Sequence, residues 1–442
     1  MILKQLKWGP AILCMMILAG CLTGKVTETP KSPETTESPK APAYTPPSTS
    51  LVKTLDALSG ASISRISSDS LVYANGVKLN ALSVDNPDGT PNTAELPANA
   101  QFVTSHKGTV AVITPIGDAV GNRKIHIYNQ NLGQAVKTFD FEGAAFTHDG
   151  LASVALTDDY LVIGSVEDTT VYVNVYDIRG SKPVGKTNVS ADGAPADGTI
   201  SIAARGNYLI VGLGSAGTGV YQINPGTLEI TRSGALDGVS THWIKYNDSY
   251  VIESKNTGVV KVWKWGAGTA EPTAEGSISV PNPATGVSGT VRALQFAPEN
   301  PDTAYFASWT GGGVYTVNLA NAGQGDAART LLFSYPAHTG TTTTYLSAWM
   351  IEKETNKGDV YFILTGGHSP NEPDRADPGI TLVFKNPPSD GSAAVPFIVQ
   401  DNQPSRVRML RTLKDSHGNL YFAAKDSGGT ASGKLTLRSI SY

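Results

Sequence analysis

The stretch that decides the fold covers residues 199–232 and reads TISIAARGNYLIVGLGSAGTGVYQINPGTLEITR. Apolar and polar residues alternate at its two ends, and a compact apolar run and a glycine-rich loop lie between them. This pattern predicts short strands joined by turns. The four predicted strands are residues 199–204, 208–212, 218–223 and 228–232. The stretch is therefore interpreted as one antiparallel four-stranded unit.

The same unit recurs roughly every 40 to 60 residues along the chain. Its second strand aligns best, because it is a short and strongly apolar run in every copy. The eight copies are residues 71–73, 110–112, 160–163, 208–211, 250–252, 304–306, 360–362 and 420–422. Such runs are typical of strands that are covered on both faces. The repeat predicts an all-β fold, a β-propeller of eight four-stranded blades, with seven as the alternative if residues 63–97 are not a full unit.

The two ends of the repeat region complete each other. The last unit ends with its third strand, residues 434–441, and lacks a fourth. Residues 52–56, VKTLD, are similar to the fourth strand VKTFD at residues 136–140. We therefore expect residues 51–58 to complete the last blade and close the ring, which removes exposed sheet edges.

The first twenty residues have the pattern of an export signal. Lys4 and Lys7 precede an apolar run, and Leu18-Ala19-Gly20-Cys21 closes it. About ten apolar residues are too few to span a bilayer, which takes about 20. The closing residues resemble the lipobox of bacterial lipoproteins, and the resemblance implies that Cys21 is acylated and becomes the first mature residue. Leu22, rather than an aspartate, follows it, which by the same resemblance implies delivery to the outer membrane.

Residues 22–50 are rich in proline, threonine and serine and contain almost nothing large and apolar. Such a segment cannot bury a core, so we interpret it as an extended tether. The predicted organisation is a lipoprotein signal over residues 1–20, the lipidated cysteine and tether over 21–50, and the propeller over 51–442.

The amino-acid composition excludes several kinds of site and partner. Of the two cysteines, Cys14 lies in the signal and Cys21 would carry lipid, so the folded part has no thiol for a disulfide or a zinc site. The formal net charge is −4 and there is no basic run, which argues against a nucleic acid partner. With 46 glycines and only 16% charged residues, the composition favours strands and turns.

Two further resemblances support the overall plan. Residues 415–421, DSHGNLY, resemble the turn and strand of NHL-type propeller repeats, and this match covers one blade of eight. The order of signal, lipidated cysteine and eight blades is similar to the propeller lipoprotein of the outer-membrane β-barrel assembly machinery. That likeness is one of plan alone, since no motif is shared and no functional residue is carried over.

Local catalytic motifs are missing. Residues 212–217 fit G-x-G-x-x-G, but the strand and the Pro225-Gly226 turn that follow leave no room for the helix that a dinucleotide site needs. None of the seven histidines lies in a local zinc motif. The sequence therefore predicts no catalytic residue and no cofactor. Whether the blades assemble a metal site around the axis stays open.

Candidate contact residues lie in long connections and first strands. The insertion at residues 365–379 joins the second and third strands of the seventh blade, on the face where propellers commonly bind partners, and long loops often have functions. Its candidates are His368, Asn371, Asp374 and Asp377. Calcium held by the side-chain oxygens of Asn371, Glu372, Asp374 and Asp377 is an alternative, although the EF-hand spacing is absent. The other candidates are His242, Trp309, His338, Tyr345 and Trp349, aromatic and polar residues that suit a peptide or a sugar.

Two functions remain open. The first is a non-enzymatic binding or scaffold protein of the cell envelope, anchored to a membrane by lipid, with a protein or glycan partner, either monomeric or part of an envelope complex. The alternative is a propeller enzyme of lactonase, lyase or quinoprotein type at the channel mouth, because the fold itself does not decide activity. For that alternative, Arg65, His242, Arg292 and Arg408 form a set able to bind an anion.

Overall fold

The computed structural model describes the blades and leaves gaps mainly at connections. The described residues are 48–57, 63–115, 122–142, 154–167, 170–189, 200–214, 217–236, 241–255, 258–266, 271–283, 286, 291–308, 312–335, 347–367, 379–399, 407–426 and 433–441. They form eight four-stranded antiparallel sheets. This confirms the prediction of an eight-bladed propeller and excludes the seven-bladed alternative.

The first strand in the chain, β1 (Ser48–Ala57), belongs to the last blade. Blades 1 to 4 then follow in chain order, each from its innermost to its outermost strand. Their strands are β2 (Ser64–Arg65), β3 (Ser70–Asn75), β4 (Lys78–Ser83) and β5 (Asn92–Glu95); β6 (Phe102–His106), β7 (Thr109–Pro115), β8 (Asn122–Tyr128) and β9 (Lys137–Glu142); β10 (Val154–Leu156), β11 (Tyr160–Glu167), β12 (Thr170–Asp177) and β13 (Gly185–Asn188); and β14 (Ser201–Arg205), β15 (Tyr208–Gly212), β16 (Thr218–Ile223) and β17 (Ile230–Ala235).

Blades 5 to 8 continue in the same way, and β1 supplies the outermost strand of blade 8. Their strands are β18 (Thr241–Tyr246), β19 (Tyr250–Lys255), β20 (Val259–Lys264) and β21 (Thr273–Ser279); β22 (Ala293–Phe296), β23 (Thr303–Ala307), β24 (Gly313–Asn318) and β25 (Arg329–Ser334); β26 (Ser347–Asn356), β27 (Asp359–Gly367), β28 (Ile380–Lys385) and β29 (Phe397–Val399); and β30 (Val407–Lys414), β31 (Leu420–Asp426) and β32 (Gly433–Ser441).

All eight predicted second strands are second strands in the structure. They are apolar because blades pack face to face, so that a central strand is covered on both sides. In β15, Leu209, Ile210 and Val211 are each 0% exposed. Full burial of such a side chain contributes about 1.5–3 kcal/mol. The fourth strand of the same blade differs from the prediction and begins at Ile230, because Leu228 has a φ of 64° and lies in the preceding turn.

The predicted ring closure is confirmed. β1 pairs antiparallel with β32, in a register that places Ser48 opposite Ser441 and Leu55 opposite Leu435. Its Val52 and Leu55 pack against the apolar cluster shared by blades 8 and 1. The strand begins at Ser48, three residues before the predicted start, so residues 48–50 belong to the blade and not to the segment that the sequence predicts as a tether.

The ring has two faces. We call the turn face the one that carries the first-to-second and third-to-fourth connections of the blades, and the loop face the one with the second-to-third and fourth-to-first connections. First-to-second turns of neighbouring blades meet on the turn face, where Lys357 Nζ donates to Asn419 Oδ1 at 3.2 Å. β32 is the third strand of blade 8 and therefore ends at the turn face. Ser48 pairs with Ser441 at that end, so β1 begins at the turn face.

A 3₁₀ segment, Leu319–Ala328, forms part of the third-to-fourth connection of blade 6. It lies against β21 of blade 5, where the Ser279 backbone N–H donates to Asp326 Oδ1 at 2.7 Å. Gly276 of β21 is so close to the Ala322 carbonyl that a Cβ at this position would collide with it. The segment thus covers an outer sheet edge. No helix in the described part of the chain is long and apolar enough to span a bilayer.

Candidate functional site

Most of the predicted contact residues lie outside the described residues. This applies to Cys21, and to Trp309, His338, Tyr345, His368, Asn371, Asp374 and Asp377. Glu372, and with it the calcium alternative, falls in the same undescribed insertion. His242 is described at the level of its backbone, within β18. The roles of these residues remain predictions.

Trp349 is described and lies in β26, where it is 6% exposed. The guanidinium carbon of Arg292, from the neighbouring blade 6, lies 3.8 Å from the centre of the Trp349 ring. A guanidinium stacked on an aromatic face at this distance is a favourable cation–π contact. The structure therefore brings together two residues that the sequence placed in different hypotheses, and it places them in the packing between blades 6 and 7.

The four basic residues of the enzyme hypothesis do not form one cluster. Every first strand runs from the loop face to the turn face. Arg65 is the last residue of β2. The other three residues lie at the opposite ends of their strands: Arg292 directly precedes β22, and His242 and Arg408 are near the starts of β18 and β30. Arg65 is thus at the turn-face end of the channel, and the other three are toward the loop face. The four residues are therefore not all at one end of the channel, because the prediction did not take position along the strand into account.

A different charged group lies in the channel, and we call it the channel cluster: Arg65, Lys245, Glu352 and Arg411. These residues come from the first strands of blades 1, 5, 7 and 8. Arg411 Nη1 is 3.9 Å from Glu352 Oε1. Lys245 Nζ donates to the Leu294 carbonyl at 2.7 Å. The channel cluster therefore consists of three basic residues and one glutamic acid, all on first strands.

Glu352 is fixed in place by the next blade. The Thr412 backbone N–H donates to its Oε2 at 2.8 Å, and the Thr412 hydroxyl also donates to that oxygen. Beside it, Glu354 pairs with Lys414, with 2.7 Å between Oε2 and Nζ. Glu354 and Lys414 thus neutralise each other and leave the charge balance of the channel cluster unchanged.

The contact between Glu352 and the next blade is one example of a repeated feature. Ser64, Ser201 and Gln295 each accept the backbone N–H of a first-strand residue in the following blade. The donors are Ser105 at 3.0 Å, Ile244 at 2.8 Å and Lys353 at 2.5 Å, respectively. Because neutral side chains perform this task in blades 1, 4 and 6, an acceptor oxygen is enough for it. The negative charge of Glu352 is therefore not required for joining the blades.

Burial shifts the ionisation of the cluster. It lowers the pKa of Lys245 to about 7, with nearby Arg411 lowering that pKa further and Glu352 opposing the shift. Burial raises the pKa of Glu352. The positive charges of Arg411 and Arg65 and the two hydrogen bonds from Thr412 act in the opposite direction and lower this pKa. Burial also lowers the pKa of Arg411, against the attraction of Glu352.

Sequence reasoning missed Lys245, Glu352 and Arg411, although a signal was present. Each follows an apolar residue directly in a first strand, as in Ile244-Lys245, Ile351-Glu352 and Leu410-Arg411. An ionisable residue in a buried first strand is unusual and often functional. What the sequence does not give is which first-strand positions face one another across the ring.

A second cluster lies on the turn face between blades 8 and 1. Asp85, Asp415 and His417 each offer a ligand atom, and these atoms lie within 4.8 Å of one another. The Asp415 carboxylate is already occupied by four donors within its own blade: the backbone N–H of His417 and Asn419, the Asn419 side-chain amide and the Tyr421 hydroxyl. Asp85 Oδ1 accepts the Ser416 backbone N–H at 2.5 Å. These contacts build the turn and the joint between blades.

No protein-family model matches the sequence, and no curated protein matches it. Among solved structures, the chain is similar to the C-terminal WD40 domain of Sif2, with 12% identity, 89% of this chain and 99% of that chain covered, and a TM-score of 0.56. It also matches a chain of a mitotic checkpoint complex, at 12% identity, 97% and 100% coverage and a TM-score of 0.47. Kluyveromyces lactis Hsv2 matches at 8% identity, 76% and 94% coverage and a TM-score of 0.43. The first comparison supports a WD40-like propeller fold, and the TM-scores of the other two are too low to support a conclusion.

Proposed function

We propose that this chain is a lipid-anchored cell-envelope protein whose propeller binds a protein or glycan partner without catalysing a reaction. Cys21 carries the lipid, and the protein is delivered to the outer membrane, where it acts alone or within an envelope complex. The lipobox-like residues 18–21 and the tether-like composition of residues 22–47 support the anchor. The observation that carries the proposal is the closed ring that begins directly after this segment.

The contacts on the two faces of the ring indicate which face is the better candidate for binding a partner. β1 begins at the turn face, and residues 1–47 precede it in the sequence. On that face, neighbouring blades are linked by polar contacts such as Lys107 Nζ to Asp158 Oδ2 at 2.9 Å and Arg205 Nη1 to the Asp248 carbonyl at 2.6 Å. The loop face carries the connection between β27 and β28, where the sequence has its long insertion. We therefore assign partner binding to the loop face.

The enzyme alternative receives no specific support from the described residues. Three or more acids or histidines converging on the axis would favour it. Within the described ranges, the axis holds Glu352 and Glu354 together with basic residues, and the Asp85, Asp415 and His417 group lies at a joint on the turn face.

Photocrosslinking in intact membranes tests the proposal. A photoreactive amino acid replaces Asn371, in the loop-face insertion, or Val77, a loop-face residue that is 41% exposed. Val184, which is 39% exposed in the third-to-fourth connection of blade 3, is the matched turn-face control. We expect a discrete crosslinked species from position 371, position 77 or both, and none from position 184.

Two results would contradict the proposal. One is crosslinking from position 184 alone, which would place the partner on the turn face. The other is turnover of a lactone, a glycan or an alcohol by the purified full-length protein, which would establish catalysis. The identity of the captured species, determined by mass spectrometry, decides between a protein and a glycan partner.

A further inference from the structure

A cavity of about 550 Å³ opens on the turn face between blades 2 and 3, and we call it the turn-face cavity. Its lining comes from the first-to-second turns and the third-to-fourth connections of these two blades. The lining residues are 107–109, 127–131, 136, 158 and 178–179. Sites for small ligands commonly have volumes of about 300–1,000 Å³. The turn-face cavity is therefore large enough to hold a small ligand.

The connection between β8 and β9 forms one wall of the cavity and is held in place along its length. The Asn131 backbone N–H donates to Asn129 Oδ1 at 3.1 Å, and the Val136 backbone N–H donates to the Ile127 carbonyl at 2.8 Å. Between these contacts, Leu132 is 0% exposed and belongs to the apolar cluster shared by blades 1 and 2. The backbone that carries this wall is thus fixed before any ligand binds.

The charged residues of the lining are Lys107, Asp158 and Arg179, and each is in an ion pair. Lys107 Nζ is 2.9 Å from Asp158 Oδ2, and His106 Nε2 is 3.1 Å from the other oxygen of that carboxylate. Arg179 Nε is 3.6 Å from Asp159 Oδ1. Because the positive groups have carboxylate partners at the same joint, the lining offers little net charge to attract an ion.

Uncharged polar side chains complete the lining. Those of Gln130 and Asn131 are exposed and make no hydrogen bond to another described residue. A Cβ at Gly108 would lie 3.2 Å from Gln130 Oε1, so the Gln130 amide lies against the turn that forms the opposite wall. A primary amide both donates and accepts hydrogen bonds, as a hydroxyl group does. Beside these amides, Val136 is 62% exposed and adds a small apolar surface.

We propose that the turn-face cavity binds a short, uncharged saccharide. The hydroxyl groups of the sugar pair with the amides of Gln130 and Asn131, and a C–H face of one ring lies on Val136. A peptide fits this lining less well, because peptide recognition usually depends on aromatic or large apolar anchors in pockets, and Val136 is the only exposed large apolar residue of the described lining. The site is separate from the loop-face partner surface and does not depend on the proposed function. Val184, the turn-face position of the crosslinking experiment, is not among the lining residues.

Ligand-observed NMR titration of the full-length protein tests the site, in a detergent without a sugar headgroup and at about pH 7.5. The probes are cellobiose, maltotriose and N,N′-diacetylchitobiose. We expect saturable binding of at least one probe, with a dissociation constant that does not change between about 0.1 and 0.5 M NaCl, because an uncharged ligand has no attraction for salt to screen. Gln130→Ala should weaken this binding about three- to tenfold, since it removes hydrogen bonds to the sugar.

Gln134→Ala is the matched control, because Gln134 is an exposed amide in the same connection and does not line the cavity. It should leave the affinity unchanged, and both variants should keep the melting temperature of the unmodified protein. Binding of the acetylated probe alone would support the proposal and narrow the ligand to sugars with an acetamido group. The proposal is overturned if no probe binds up to about 20 mM, if binding weakens markedly with salt, or if Gln130→Ala and Gln134→Ala change the affinity equally.

Discussion

At the scale of single residues, the channel holds ionisable groups whose charge the fold does not need. Glu352 occupies a position where serine or glutamine makes the same contact to the next blade elsewhere in the ring. Lys245 extends from blade 5 to the Leu294 carbonyl of blade 6. A hydrogen bond of this kind contributes about 1 kcal/mol, which is less than the cost of burying an ammonium group. The charges of these residues are therefore not explained by a contribution to stability.

Lys245 makes stability depend on pH. Burial, reinforced by Arg411, lowers its pKa from 10.5 to about 7 in the folded protein. Between about pH 7 and pH 10 the unfolded chain therefore holds a proton that the folded chain has released. The free energy of unfolding rises with pH in this window, by at most about 1.4 kcal/mol per pH unit. We expect Lys245→Met to reduce this rise, measured as the change in melting temperature between about pH 7 and pH 9.

The control for this prediction is Lys78→Met, because the Lys78 side chain is 59% exposed. It should keep the pH dependence of the unmodified protein. Equal slopes for Lys245→Met and the unmodified protein would show that Lys245 does not titrate in this range.

At the scale of elements, what the sequence could predict depended on burial. The second strands lie between two other strands and between two blades, so that both their faces must be apolar, and all eight were found. β2 is only two residues long and β29 only three. Neither has room for a periodic pattern, so their bounds could not be predicted. The channel cluster was missed for a different reason: its members are far apart in sequence and meet only through the curvature of the ring.

Because β1 closes the ring, we expect its removal to destabilise the propeller. Deletion of residues 51–60 removes the pairing of β1 with β32 and the packing of Val52 and Leu55. It also exposes the edge of β32. We expect the melting temperature to fall by many degrees, as followed by circular dichroism.

A deletion of equal length within the tether, residues 31–40, is the control for the loss of β1. It should leave the melting temperature unchanged. If removing residues 51–60 had no larger effect than removing residues 31–40, β1 would not be the strand that closes the ring.

At the scale of the whole molecule, the two ends of the ring domain meet in one blade. Ser48 and Ser441 are paired, so the proposed tether would lead directly into the β1–β32 pair. Neighbouring blades share apolar clusters, as between blades 3 and 4 and between blades 8 and 1. We therefore expect the anchor to determine where the protein is located and to contribute nothing to the stability of the propeller.

The most direct test of this account replaces Cys21 by alanine. It compares the two proteins by membrane fractionation, by mass spectrometry of the mature N-terminus and by thermal melting. The account predicts that the unmodified protein is in the membrane fraction with an acylated Cys21, and that Cys21→Ala yields a soluble protein with the same melting temperature. An unacylated Cys21 in the membrane-bound protein, or an unfolded Cys21→Ala protein, would contradict it.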